Sequence, residues 1–286
     1  MSLSLRHCSP VLLSGVTIPF DQVSSDILLE TAIAASKEAG ALLLGYVRSG
    51  FRIEHKNLIN LVTDADHAAE QCVIDNIRKQ FPTHRFLAEE RGRIEQSPSP
   101  YLWVIDPLDG TTNFAHGYPA YCVSVGLEYR GRCILGVVFD PSRNELFAAV
   151  EGRGARLNGQ PIHVSDTTSL DGSLLVTGFA YDIRESSRTN LDHFGAFSLK
   201  AQGVRRTGSA ALDLCYVATG RFDGFWEVKL NPWDMAAGSV IVRESGGRLT
   251  NFCGEDFSIY RQEIVASNGY IHQAMLKVLY EGTSQL

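Results

Sequence analysis

The spacing of apolar residues changes several times along the chain, and each change predicts an element. From Ser24 to Val47, Ile27, Leu28, Ala32, Ala35, Ala39, Leu42, Leu43 and Tyr46 recur at helical spacing, which predicts a long amphipathic helix capped by Ser25 or Asp26. Phe51–Lys56 alternates as a strand does. A second helix follows, reaching about Lys79, with Thr63 as N-cap and Asp66 as its capping-box partner. Arg85–Ala88 reads as a short strand ending in Glu89-Glu90, and the polar stretch Gly92–Pro100 as a loop. Leu102–Ile105 is continuously apolar and breaks at Asp106-Pro107, before Asp109-Gly110-Thr111-Thr112.

Ala120–Tyr129, Cys133–Asp140 and Glu145–Val150 then alternate around tight turns at Arg130-Gly131 and Asn158-Gly159, an antiparallel meander. A fresh β run is expected over Asp171–Gly178 and a helical region over Tyr181–Phe197. Gly203–Gly208 reads as strand and turn, Ser209–Thr219 as a helix stopped by Gly220, and Phe222–Leu230 as a strand. A last helix starts near Asp234, buries Ala236, Ala237, Val240 and Ile241, and stops at Gly246-Gly247.

At 286 residues and 44% hydrophobic, the chain can bury a core of one large domain or two. A formal charge of −6 argues against a general nucleic-acid binder. The six cysteines show no CxxC spacing and read as reduced, buried small hydrophobes. No apolar run approaches a membrane span, and the N-terminal segment lacks a clean apolar core followed by a cleavage site. The expectation is a cytoplasmic protein without membrane contact, with residues 1–20 a poorly ordered extension and residues 21–286 the functional domain.

Candidate chemistry centres on the stretch from Trp103 to Val125. Pro107 has no N–H for a ladder, and Gly110 permits a tight reversal with exposed backbone N–H groups. Two carboxylates beside such a turn suit a hard cation and a phosphate together. Glu89 and Asp234 stand at a strand end and a helix start, where α/β proteins gather ligands. Each acid alone also has a structural explanation: Asp66 as a capping partner, Asp234 as a first-turn acid, Glu89 as part of an acidic loop. No GxSxG, Walker lysine loop or HExxH competes.

WVIDPLDGTTNF together with WDMAAGSVIVRESGG resembles the paired signatures of the inositol monophosphatase family of Mg²⁺-dependent, Li⁺-sensitive phosphatases, with LVTDAD and FLAEE matching further blocks. The resemblance runs from about Asp21 to the C-terminus; Ala88 departs from a glycine frequent in the family, and Lys56 falls one residue out of register with a family lysine. It implies an α-β-α-β-α layered sandwich, commonly a homodimer, with two to three Mg²⁺ ions. Glu89, Asp106 and the Leu108 carbonyl would hold the first ion, and Asp106, Asp109 and Asp234 the second. Asp66 would stand behind them and reach a third ion through water. Thr111 with Glu89 would orient the attacking water, and Gly110, Thr111 and Thr112 would cradle the phosphate.

The GTTNF ending resembles the inositol branch, and Glu227 matches a position that there accepts from a sugar hydroxyl, with Gly208-Ser209-Ala210 lining the same pocket. A carboxylate there favours a neutral polyol. The expected activity is hydrolysis of myo-inositol 1-phosphate and similar polyol monophosphates by in-line attack of a metal-activated water. The alternatives are fructose 1,6-bisphosphate, histidinol phosphate or adenosine 3′,5′-bisphosphate as substrate, or a regulatory binding protein that keeps the fold.

Overall fold

A computed structural model describes residues 24–55, 61–94 and 98–283. The expected extension over residues 1–20 and Lys56 lie outside the described residues. The chain opens with helix α1 (Ser25–Ser49), the antiparallel pair β1 (Ile53–His55) and β2 (Leu61–Thr63), and helix α2 (Asp64–Gln80). Next come β3 (Arg85–Ala88), β4 (Gly92–Ile94), β5 (Tyr101–Asp109), the single turn α3 (Thr111–Ala115), and the meander β6 (Cys122–Tyr129), β7 (Arg132–Asp140), β8 (Glu145–Val150), β9 (Ala155–Leu157) and β10 (Gln160–Pro161). The C-terminal half holds β11 (Leu174–Thr177), α4 (Leu191–Ser198), β12 (Gly203–Arg205), α5 (Ala210–Ala218), β13 (Gly224–Val228), α6 (Pro232–Glu244), β14 (Arg248–Thr250), β15 (Glu263–Ser267) and α7 (His272–Thr283).

Strands β3 to β10 form one eight-stranded sheet, in the order β10-β9-β8-β7-β6-β5-β3-β4, and β11 to β15 a five-stranded one, in the order β12-β11-β13-β15-β14. Period-two alternation builds the layers. Trp103 and Ile105 of β5 share one core with Leu28 and Ala35 of α1 and Val73 of α2, while Leu102 and Val104 point the opposite way into a core shared with α5 and α6. In the second sheet Phe225 faces those same two helices, and Trp226 faces Phe197 of α4 and Met275 of α7. Two sheets alternating with three helical layers make the expected α-β-α-β-α sandwich.

The structure corrects several local readings. The β5 ladder does not stop at Asp106-Pro107: pairing with β6 resumes at Asp109↔Cys122 after a bulge, because a residue lacking an N–H can be bypassed rather than end the strand. Gly92–Ile94, expected in a loop, pairs with β3 as an edge strand. The expected helical region over Tyr181–Phe197 is helix only from Leu191, after Asn190 at φ 70°. Ser24, rather than Ser25 or Asp26, caps α1, and Cys253 is exposed rather than buried. Strands β14 and β15 and helix α7 lie beyond the last element read from the sequence.

Candidate active site

Proline and glycine shape the turn at the end of β5. With Pro107 unable to pair, the Asp106 side chain turns back and accepts the Leu108 N–H at 3.0 Å through Oδ1. Gly110 then adopts φ 100°, and a Cβ there would stand 2.8 Å from the Ala120 carbonyl, so backbone conformation and space both demand glycine. α3 begins at once, leaving N–H groups in its first turn without intrahelical acceptors. The Thr111 hydroxyl lies 3.0 Å from the Leu108 carbonyl and 3.1 Å from Asp66 Oδ1. Asp66 completes the expected capping box on α2, accepting from the Thr63 N–H at 2.7 Å and hydroxyl at 2.6 Å. It is buried behind Thr111 and does not line the cleft.

Two distant helices complete the acidic wall. Asp109 Oδ2 accepts from Ser209, the N-cap of α5, at 2.6 Å and from the Ala211 N–H at 2.7 Å. Asp234 is the third residue of α6 and accepts the Asn231 N–H at 2.6 Å, with Pro232 supplying a preformed first turn. Glu89, just past β3, is tied by its N–H to the Ile105 carbonyl at 3.2 Å. Glu89, Asp106, Leu108, Asp109, Gly110, Thr111 and Asp234 thus line one cleft, together with Phe179, Tyr181, Glu227 and Trp233.

Electrostatics gives that convergence a chemical meaning. Burial, then the charges of Glu89, Asp109 and Asp234, pushes the Asp106 carboxyl well above its ordinary range. Burial and the Asp109 charge do the same to Asp234. Asp109 is raised by burial, against hydrogen bonds from Ser209, Ala211 and Ala210. The one lysine lining the cleft, Lys229, directs its amine to Asp182 at 2.6 Å and to Ser186. Several anions sharing a desolvated space call for an external cation. The donors are carboxylates and a carbonyl, a set that suits a hard divalent ion. Among the described residues no three acidic, histidine or cysteine side chains already converge on one ion-sized point. The hydrogen bonds hold one oxygen each of Asp106, Asp109 and Asp234, and an arriving cation would draw in the others.

A second lobe, sharing Asp109, Tyr181, Glu227 and Asp234 with the first, is lined further by Gly208, Ser209 and Ala210. Glu227 is 7% exposed, and its carboxylate packs on Gly178, where a Cβ would meet it at 2.3 Å. Burial and the Asp213 charge push Glu227 well above the usual carboxylate range, against the Arg206 guanidinium. Thr112 is not part of either lining; its side chain bonds to Tyr181. The sequence reading missed Asp213, Arg206 and Tyr181, which line this lobe. Asp213 carried a signal, a single acid in the apolar run Ala210–Ala218; Tyr181 carried none.

The model of the inositol monophosphatase family matches residues 25–284. The chain belongs to that family. An inositol-1-monophosphatase of Synechocystis sp. is 48% identical over 252 residues, covering 88% of each chain. The Nus factor SuhB of Escherichia coli (strain K12) is 43% identical over 251 residues, 87% of this chain and 94% of its own. A solved inositol monophosphatase from Anabaena (Nostoc) sp. PCC 7120 superposes with a TM-score of 0.82 at 45% identity, covering 90% of this chain and 96% of that one. This inositol monophosphatase family member therefore carries its acidic cleft in the layered sandwich of its relatives.

Proposed function

We propose that this chain is a Mg²⁺-dependent phosphomonoesterase that hydrolyses myo-inositol 1-phosphate and similar polyol monophosphates. The observation that carries the reading is the meeting of two unlike lobes: carboxylates repelling one another around Asp106, and beside them the buried carboxylate of Glu227. In this reading Glu89, Asp106 and the Leu108 carbonyl would hold one Mg²⁺, and Asp106, Asp109 and Asp234 would hold another. Asp66, behind Thr111, would reach a third ion only through water. Bound magnesium supplies charge neutralisation for the phosphate and acidifies water in the cleft.

The protein groups do the rest. The first N–H groups of α3 receive a phosphate oxygen at the positive end of that turn. Thr111 is held at a fixed angle by Leu108 and Asp66, and with Glu89 it orients a water for in-line attack on phosphorus. The water oxygen bonds to phosphorus as the P–O bond to the polyol breaks, the polyol oxygen takes a proton from water as it leaves, and inorganic phosphate and the free polyol are the products, with no phosphoenzyme. Glu227 accepts a hydroxyl of the polyol and disfavours a second phosphate there.

The reading includes Li⁺ sensitivity, a homodimer and a cytoplasmic location; among the described residues no helix is long and apolar enough to cross a membrane. The 43% identity to a protein named Nus factor SuhB favours one second reading, a regulatory binding role on the same fold. Phosphate release should be compared by kcat/KM for inositol 1-phosphate, fructose 1,6-bisphosphate, histidinol phosphate and adenosine 3′,5′-bisphosphate. The expected order puts inositol 1-phosphate first, with Asp109→Asn lowering its turnover at least a hundredfold. Preference for the adenosine compound overturns the polyol assignment. Near wild-type turnover by Asp109→Asn overturns the metal assignment.

A further inference from the structure

Glu70 lies one helical turn beyond Asp66 on α2, so the two side chains project from one face. Asp66 reaches Thr111, whereas Glu70 reaches the turn that carries Glu89. It is a fully buried acid, 0% exposed. Its Oε2 accepts the Glu90 N–H at 2.9 Å. The Nε of Arg91 stands 3.2 Å from Oε1, paired in charge but off the hydrogen-bond axis. A glutamate fully withdrawn from water costs stability unless its partners compensate, and these partners belong to the two residues that follow Glu89.

The consequence is geometric. On its N-terminal side Glu89 is fixed by its own N–H bonding to the Ile105 carbonyl at 3.2 Å. On its C-terminal side the next peptide N–H is fixed by Glu70. With both flanking peptide planes held, φ and ψ of Glu89 are set, and with them the direction in which its Cα–Cβ bond enters the cleft. Sheet pairing anchors only the base of this turn, where Ala88 pairs with Ile105 of β5 and Gly92 of β4; the Glu90 N–H at its tip is held from α2 by Glu70.

We propose that Glu70 is a positioning residue for Glu89, one that sets metal affinity without touching metal or substrate. The inference rests on Glu89 being a metal ligand, and the test separates the two statements. Binding of Mn²⁺ alone is measured by titration calorimetry on the full chain for wild type, Glu70→Met, Glu70→Gln and Glu89→Gln, with folding checked by circular dichroism. Met keeps length and bulk but offers the Glu90 N–H no acceptor; Gln keeps an acceptor and drops only the charge facing Arg91.

Glu70→Met is expected to weaken Mn²⁺ binding about tenfold, the usual scale for a residue that orients a ligand. Glu70→Gln is expected to stay within about twofold of wild type, a rescue that general destabilisation by loss of a buried acid does not give. Equal affinities for wild type and Glu70→Met overturn the proposal, as does Glu70→Gln binding as weakly as Glu70→Met. Should Glu70→Met not fold, Glu70→Asp, whose acceptor is drawn back by one methylene, replaces it, and affinity equal to that of Glu70→Gln overturns the proposal. Unchanged binding by Glu89→Gln refutes the ligand assignment instead.

Discussion

In the proposed reading a single carboxylate, Glu227, separates recognition of a polyol from recognition of any phosphate ester. It is buried, it raises no hydrogen bond to the protein among the described residues, and Gly178 leaves room for it alone. Its carboxylate lines the cleft, and in that reading a polyol hydroxyl donates to it. Glu227→Gln retains an acceptor but loses the charge, a difference of about 1 kcal/mol per hydrogen bond, or about fivefold in binding. The expected result is a fall in kcat/KM of roughly that size for inositol 1-phosphate, carried by KM, with no change for p-nitrophenyl phosphate, which offers no hydroxyl. Steady-state kinetics on the two substrates decides it: an equal loss on both removes Glu227 from recognition.

Helix α6 transmits packing to chemistry, because its first turn carries Asp234 while its body lies on the meander. Its approach is closest where glycine meets alanine: a Cβ on Gly136 would stand 2.2 Å from the Ala237 carbonyl, and one on Gly126 would stand 2.7 Å from Ala236 Cβ. Neither neighbour is a flexible tip, so the helix itself would have to move. Gly136→Ala is expected to cost about 1–3 kcal/mol by overpacking and to weaken Mn²⁺ binding as Asp234 shifts. A thermal melt paired with calorimetry checks both, and a melt lowered with affinity unchanged would uncouple the helix from the site. The same helix shows what the sequence discloses. WDMAAGSV was legible because Asn231, Pro232 and Asp234 act within one turn and the small residues lie within the next. DPLDGTT was legible for the same local reason. Glu227 and Gly208 gave no such signal and were assigned through the resemblance, since only the fold brings β13 and the start of α5 to β5. Asp66 was readable as a cap, while its bond to Thr111 spans 45 residues and could not be read.

For the whole molecule, buried acids and buried histidines act on stability with opposite sign. Asp106, Asp109 and Asp234 have raised values in the folded chain. The metal-free fold therefore holds protons that the unfolded chain releases, and it loses stability as pH rises from the ordinary carboxylate range through the raised one. His84, stacked on Phe81 and Tyr101 and accepting from the Trp103 indole, is lowered to about 4 by burial. His272, between Thr250 and Ser267, is also lowered to about 4. Both are favoured neutral, so their contribution, on the order of 3 kcal/mol each, is present above pH ~6.5 and lost as pH falls towards 4. Without metal the two trends partly cancel. Magnesium requires ionised carboxylates and so reverses the first trend while leaving the second intact. The gain in Tm from saturating Mg²⁺ over EDTA should therefore grow between pH 5.5 and pH 8. At a hundredfold excess over Kd it amounts to about 2.7 kcal/mol, or about 4–5 °C for a chain of this size. Scanning calorimetry at both pH values with and without Mg²⁺ tests this, and a gain that is flat or shrinks with pH would mean that the buried carboxylates are not where the ion binds.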